Sequence, residues 1–484
     1  MALTQYGREV IYSDEQEITS KNVMTVLDRA FQIHKNNQES IQYLYDYYKG
    51  KQPILQKTNA IRPEINHTVV VNHANEIVSF KVGYLIGEPI QYVSHNEKED
   101  ANEAILALNN CVFDEGKQTK DKELADWFTI CGTGYRMVLP RKNAKEDESP
   151  FAIYTLDPRY SFVVYWSGLG NPALMGVKYI VKQDKTMVFS IWTKNKHFEV
   201  EVPGTIPDQP LGGKIILEEP HIMGEVPIIE YPANTARLGA FEIVLPLLDS
   251  INDVLSNRLD AVENFVQAFM VIKGADIDEE KFTQLKALGG ICVPADGDVS
   301  YLTQELNQSQ VQLLDDAMYQ TVLDICGMPN RNGGSSTSDT GAAVIMRDGW
   351  SSAEARAKDT EDMFRIAEKQ FLKIALEIAN VQQRFELKVS SVEIRFTRRN
   401  YENILQKAQV LTQLLANDKV HPLLAFTHSG MFTDPALAYS MSKDYYATVE
   451  KEQERALERE IRKAELTEKT TVTETETDEE VNDG

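Results

Sequence analysis

AFEIVLPLLDSINDVLSNRLDAVENFVQAF, residues 240–269, is the stretch on which the reading of this chain turns. It holds no glycine and, after Pro246, no proline. At 100° per residue, Glu242, Asp249, Asp253, Ser256, Asp260, Glu263 and Gln267 fall within about 40° of one direction, with Val244, Leu247, Leu248, Ile251, Val254, Leu255, Leu259 and Val262 opposite. The spacing predicts one helix of about 45 Å, too long for one small domain to cover. Its polar face is acidic throughout, because the only base before Lys273 is Arg258, which projects from the apolar side. A solvated face ordinarily mixes both signs. Beside the plain reading of a solvated surface face, an all-acidic stripe therefore has two others. It faces something anionic that must not adhere, or it meets a neighbouring subunit, with Arg258 answering that neighbour's acid.

A second helical pattern, from about Ser309 to Cys326, repeats the theme with Val311, Leu314, Met318, Val322 and Ile325 on one side. Between the two lies a small αβ insert, read as a strand at Phe269–Ile272, a helix at 278–288, and strands at 291–294 and around 300–303. Two long helices flanking such an insert make a stalk with a tip. A stalk of this kind has little core of its own, and neighbouring copies in a ring would supply the missing burial.

Outward from the stalk, apolar periodicity predicts helices over 20–50, 101–112 and 119–131. Thr68-Val69-Val70-Val71 reads as strand-like, and the break Gly132-Thr133-Gly134 leads into a strand at Tyr135–Leu139. From 150 to 231, short Val-, Ile-, Tyr-, Phe- and Trp-rich runs between Gly and Pro turns predict several strands. Asn332, Gly333, Gly334, Ser335, Ser336, Thr337, Ser338 and Asp339 form a stretch flexible by composition. A helix follows behind the capping box Ser351-x-x-Glu354 and runs to about Asn380. A strand at 391–397 and helices at 401–416 and 433–466 complete the pattern. The Thr/Glu/Asp tail from Thr470 has no apolar period and is expected to be disordered. The fold class is α+β.

The chain has 484 residues, 50 Lys+Arg against 73 Asp+Glu and a formal net charge of -23, so no net basic field draws it onto nucleic acid or anionic lipid. The four cysteines form no CxxC pair, which fits a reducing, intracellular setting. No apolar run approaches the ~18 residues of a membrane span, and a soluble cytoplasmic protein is expected. The motifs GxxxxGK[ST], GxSxG, HExxH and GxGxxG are absent. His67 and His73 read as a packed pair rather than ligands, since no third ligand is near along the chain. Among Asp276, Asp278, Asp296 and Asp298, Lys281 stands where a calcium loop needs glycine. The pair Arg398-Arg399 reads as charge at a strand end. No catalytic residue, metal ligand or cofactor is expected.

Several ordered motifs then resemble the portal proteins of tailed bacteriophages, of the long-tailed type. They are Tyr47-Tyr48-Lys49-Gly50-Lys51-Gln52-Pro53-Ile54, Gly83-Tyr84-Leu85-Ile86-Gly87-Glu88-Pro89-Ile90, Leu156-Asp157-Pro158-Arg159, Gly224-Glu225-Val226-Pro227-Ile228-Ile229-Glu230-Tyr231 and Asp339-Thr340-Gly341-Ala342-Ala343. Each alone is weak, and their order over about 40–450 carries the resemblance. Where family members often carry Ser-Gly-x-Ala-Leu, this chain has Thr340-Gly341-Ala342-Ala343-Val344.

The resemblance implies a mixed α/β wing over 1–238, a stem helix over 239–269, a clip over 270–308 and a second stem helix over 309–330. It further implies a tunnel-loop region over 331–350, a wing helix with return strand over 351–400, a helical crown over 401–466 and a disordered tail over 467–484. The expected function is a ring, usually of twelve subunits, at one capsid vertex of the virion, assembled in the host cytoplasm. Double-stranded DNA would pass through it during packaging and ejection. The expected partners are the terminase large subunit, docking on the clip through Lys281, Gln284 and Lys286, then the head-tail connector, and the major capsid and scaffolding proteins. No membrane partner and no enzymatic activity are expected. Glu242, Asp249, Asp253, Asp260 and Glu263 would line the channel, since a conduit for DNA needs a wall that does not hold phosphate. Alternatives are a metal-dependent nucleic-acid-processing enzyme using Asp296 and Asp298, or a non-portal structural adaptor.

Overall fold

Alternation along the chain sets the first layer. Met187, Phe189, Ile191 and Thr193 point one way from a strand at Met187–Thr193 and are buried, while the residues between them are partly wet. This strand, β7, lies in a six-stranded sheet of order β1-β5-β6-β7-β8-β9. Its other members are β1 (Ile11–Ser13), β5 (Ser161–Trp166), β6 (Ala173–Val181), β8 (Lys196–Val202) and β9 (Lys214–Pro220). Neighbours are antiparallel except β1, which runs parallel to β5 with Ile11 opposite Val164. Helix α1 (Val23–Tyr48) covers the buried face, setting Val23, Leu27, Ala30 and Phe31 against Phe162, Val177, Phe189 and Phe198.

The computed structural model describes residues 6–60, 62–94, 99–142, 144–145, 148–204, 211–266, 269–273, 298–302, 308–330, 349–397, 404–432 and 435–479. It falls into two units, Met1–Tyr92 with Asn102–Arg398, and Val93–Ala101 with Arg399–Gly484. The larger unit holds a second sheet of β3 (Thr133–Pro140) between β4 (Phe151–Leu156) and β10 (Ile228–Pro232), with Ile229 opposite Arg136 and Val138 opposite Ile153. Around it pack α2 (His73–Leu85), α3 (Glu99–Asp114) and α4 (Lys117–Cys131). Helix α4 ends on Gly132 at φ +83°, where a Cβ would come within 1.8 Å of the Arg237 carbonyl oxygen, so only glycine fits.

The stalk begins with a 3-10 turn at Glu242–Val244 and continues as α5 (Leu245–Val266). Pro246 sits in the first turn of α5, where a missing N–H costs nothing. Strand β11 (Phe269–Lys273) pairs antiparallel with β12 (Asp298–Leu302), Phe269 opposite Leu302, and α6 (Gln308–Cys326) returns beside α5. Helix α7 (Trp350–Val381) then buries Phe364, Phe371, Leu372 and Ala375 in the main core.

Four expectations are corrected. Thr68–Val71 is extended but joins no strand, because its alternate N–H groups are taken by side chains of α5. The capping box does not form: α7 starts from Gly349, Ser351 lies inside the helix, and Glu354 instead accepts from the Tyr84 hydroxyl at 2.9 Å. The smaller unit has a helix not foreseen, α9 (Pro422–Ser429), between α8 (Ile404–Leu415) and α10 (Pro435–Glu479). The imidazole of His421 accepts from the Leu423 N–H and caps it, and Pro422 fits its first position. Finally α10 runs on to Glu479, into the segment expected to be disordered, since extending a formed helix adds a hydrogen bond for each residue fixed.

Candidate functional site: the polar face of the stalk helix

Asn252, Ser256 and Asp260 stand four residues apart on α5 and are all buried. Along a helix that spacing is about 6 Å. An extended chain advances about 6.6 Å over two residues, so every second N–H of a neighbouring segment can meet one of these side chains. The segment 67–71 does this. The Val71 N–H donates to Asn252 Oδ1 at 2.8 Å, the Val69 N–H to Ser256 Oγ at 2.9 Å and the His67 N–H to Asp260 Oδ1 at 2.7 Å. The other oxygen of Asp260 takes Lys57 Nζ at 2.6 Å, and Arg62 Nη1 donates to Asn264 at 2.8 Å. Burial alone would raise the Asp260 carboxyl, but the Lys57 and His67 donors outweigh it and hold it below its ordinary value.

The supposed acidic stripe therefore divides. Glu242 is not on it: the 3-10 turn changes its phase, and its fully buried carboxylate accepts from Arg8 Nη2 at 2.6 Å and from the N–H groups of Gly7 and Gly239 at 2.7 Å. Asp260 is likewise buried and paired within the chain, so in a single copy neither carboxylate faces solvent as an unpaired charge. Asp249 is half-buried and accepts from the Tyr47 hydroxyl at 2.9 Å, and burial, with the charge of Asp253, raises its carboxyl. Glu263 lies 3.4 Å from His67 Nε2. Of the five acids, Asp253 alone is exposed. Arg258 donates to Gln312 of α6 at 2.8 Å and ties the two stalk helices together.

Sequence reasoning missed the partners because Arg8, Tyr47, Lys57 and His67 are some 190 to 235 residues away. The signal available was the i, i+4, i+8 run Asn252, Ser256 and Asp260, opposite a Val-rich segment with no strand partner. His67 is thus a partner of Asp260. His73 bonds Glu76 at 2.9 Å and stacks on Tyr319 at 4.4 Å. Among the described residues no group of His, Cys, Asp and Glu is placed to hold a metal, and no helix is long and apolar enough to cross a membrane. Lys281, Gln284 and Lys286, the stretch from Asn332 to Asp339, Asp296 and Arg398-Arg399 lie outside the described residues.

Beyond the ladder the stalk is thinly covered. Leu259 and Val262 on α5 are 44% and 42% exposed, and Leu313 and Leu314 on α6 are 71% and 52% exposed. A core with a fully buried ion cluster sits at the other extreme. Glu368 of α7 meets Lys117 and Arg136, with Asp121, Tyr92 and Tyr231 around them. Nothing in the local sequence pattern points to this cluster.

The family model described as "Phage portal protein, SPP1 Gp6-like" matches residues 27–465. The chain belongs to the phage portal protein family. Its mixed helix and sheet architecture is that of a portal-type subunit, and the portal family is a structural one. No curated protein matches this portal chain. Among solved structures, it is similar to a chain of the virion of a native gene transfer agent particle, at 11% identity and TM-score 0.46, covering 81% of this chain and 93% of that one. It is also similar to a chain from the neck of the empty particle computed with C6 symmetry, at 10% identity and TM-score 0.44, covering 74% and 90%. A chain from the neck of the native particle computed with C12 symmetry matches at 11% identity and TM-score 0.42, covering 74% and 89%.

Proposed function

We propose that this chain assembles into a closed ring at one capsid vertex of the virion and forms the conduit through which double-stranded DNA enters during packaging and leaves at ejection. The observation that carries the reading is the portal-family match over 27–465, joined to a stalk that leaves Leu259, Val262, Leu313 and Leu314 wet in a single copy. Burying an apolar side chain is worth about 1.5–3 kcal/mol, so side-by-side stalks supply what one copy lacks. In this reading residues 1–238 with 351–400 are the wing, α5 and α6 the stem, 270–308 the clip, 331–350 the tunnel-loop region and 401–466 the crown. The terminase large subunit docks on the clip, with Lys281, Gln284 and Lys286 as its surface, and a head-tail connector takes its place after packaging. Scaffolding and major capsid proteins surround the wing and crown. The ring assembles in the host cytoplasm.

Of the five acids singled out from the sequence, Asp253 is the exposed one and can present charge to passing DNA. A wall that carries it repels phosphate, where a lysine would hold it by releasing counterions. Electron microscopy of the purified protein tests the ring, and particles without a central hole would remove the reading. Asp253→Lys then tests the wall: rings of normal appearance that package DNA more slowly are expected, and unchanged packaging rates would exclude Asp253 from the lumen.

A further inference from the structure

A cavity of about 570 Å³ opens between α2, α4, α6, α7 and the turn at 233–240. Phe80, Tyr84, Ile243 and Met363 give it an apolar wall, and its charged groups are Lys81 and Arg356 with Asp359 and Asp362. Neither cation has an acidic partner among the described residues. Glu354, two residues before Arg356, is taken by Tyr84, and Asp362 on the same wall pairs with Arg365 at 2.9 Å. Asp359 also lines the cavity, but what acts on the Lys81 ammonium is burial, the Cys326 thiol and Arg356. Burial first, and the Arg356 charge with it, push Lys81 below the ordinary lysine range.

A half-buried ammonium with a second cation beside it is costly unless an anion meets it, and here the burial falls on Lys81 while Arg356 is exposed. The rim indicates what carries that anion. Ile243 and Ile325 both border the cavity and are 52% and 37% exposed, which a free inorganic ion would leave wet. The chain is itself strongly acidic, and a ring contact joins one face of a subunit to a different face of the next, so a cationic socket on one side has acids to meet on the other. We propose that the Lys81–Arg356 cavity is a socket for an acidic side chain of a second copy of this chain, completed only when subunits associate. The inference rests on the ring reading above.

The test compares ring formation by mass photometry for wild type, Arg356→Glu and Arg356→Lys at matched concentration and salt. Arg356 is exposed, so its variants are expected to fold, and subunit melting temperatures check this. Arg356→Glu is expected to cut the ring fraction about tenfold or more, while Arg356→Lys retains it. Lys81→Met separates the two states further. Removing an unpaired cation raises the melting temperature of the dissociated subunit, yet weakens the ring. Arg356→Glu rings at the wild-type level overturn the proposal. So does inorganic phosphate stabilising wild type but not Arg356→Glu with assembly unchanged, which assigns the site to a small anion. Wild type that forms no ring at any concentration overturns the ring reading itself, a distinguishable result.

Discussion

Replacing Glu368 by Gln should cost this protein more stability than almost any other isosteric change. The carboxylate is fully buried and accepts from the Tyr92 hydroxyl at 2.6 Å and the Tyr231 hydroxyl at 2.7 Å. Lys117 Nζ lies 2.7 Å from one oxygen and Arg136 Nη1 3.3 Å from the other. Asp121 is the remaining anion, bonded to Lys117 at 2.7 Å and also to Arg136. Two cations and two carboxylates balance. Burial by itself would favour the neutral acid, but Lys117 and Arg136 together outweigh it and hold Glu368 below its ordinary value, so it is ionised at neutral pH. Glu368→Gln leaves two cations sharing one carboxylate in a site that water does not reach.

Breaking one member of a buried ion cluster costs about 3–5 kcal/mol, a large share of the about 5–15 kcal/mol that holds a protein together. The folded-to-unfolded ratio should fall by about two to three and a half factors of ten, at about 1.4 kcal/mol for each. All four tryptophans, Trp127, Trp166, Trp192 and Trp350, belong to the larger unit, so fluorescence during urea unfolding reports on it. Adding Lys117→Met to Glu368→Gln restores the charge balance and should recover much of the loss. The pH dependence has a definite sign. A carboxyl lowered in the folded state contributes stability that is present above its unfolded value of 4.5 and is lost as pH falls below it, so the gap between wild type and Glu368→Gln should close in acid. A loss below about 1 kcal/mol at neutral pH, or a double variant no better than the single, would refute the argument.

Two further outcomes are expected. Ser256→Ala strands the Val69 N–H and should cost about 1–3 kcal/mol, whereas Asp253→Ala on the exposed side of α5 should change stability by less than about 0.5 kcal/mol; equal effects in a chemical denaturation series would count against the ladder. His34, buried against Phe162 at a ring separation of 4.5 Å, is pushed down by burial to about 4, against a hydrogen bond to the Arg159 carbonyl. The unfolded chain then binds a proton between pH 6.5 and 4 that the folded chain refuses. Stability is complete above pH 6.5 and declines by roughly 3 kcal/mol as pH drops to 4, and a His34→Phe variant should lose that part of the slope.

How much of this was legible depended on whether the cause was local. Strand alternation in β7, the helical period of α1 and α7, and the Gly132 break are properties of neighbouring residues, and the pattern exposed them. The stalk helices were legible for the same reason. The acidity of α5 was not, because angular position on a helix says where a side chain points but not what meets it. Glu242 and Asp260 looked alike in the sequence, yet each is neutralised by a base about 200 residues away, Arg8 and Lys57. The ion cluster at Glu368 was hidden more completely, since it draws one residue each from β2 (Gln91–Ser94), β3, β10 and α7 and two from α4. The capping box failed for a local reason that the pattern overrode: Gly349 already starts the helix two residues earlier.

The ladder between 67–71 and α5 has a mechanical consequence. Its three hydrogen bonds repeat at about 6 Å, so a slide of the helix along the 67–71 segment by any smaller amount strands all three N–H groups at once. There is no intermediate position at which part of the set survives. A load applied along the stalk axis is therefore not absorbed by slippage at this seam. It passes undiminished to the segment on the other side of the seam, until the whole joint gives way in one step.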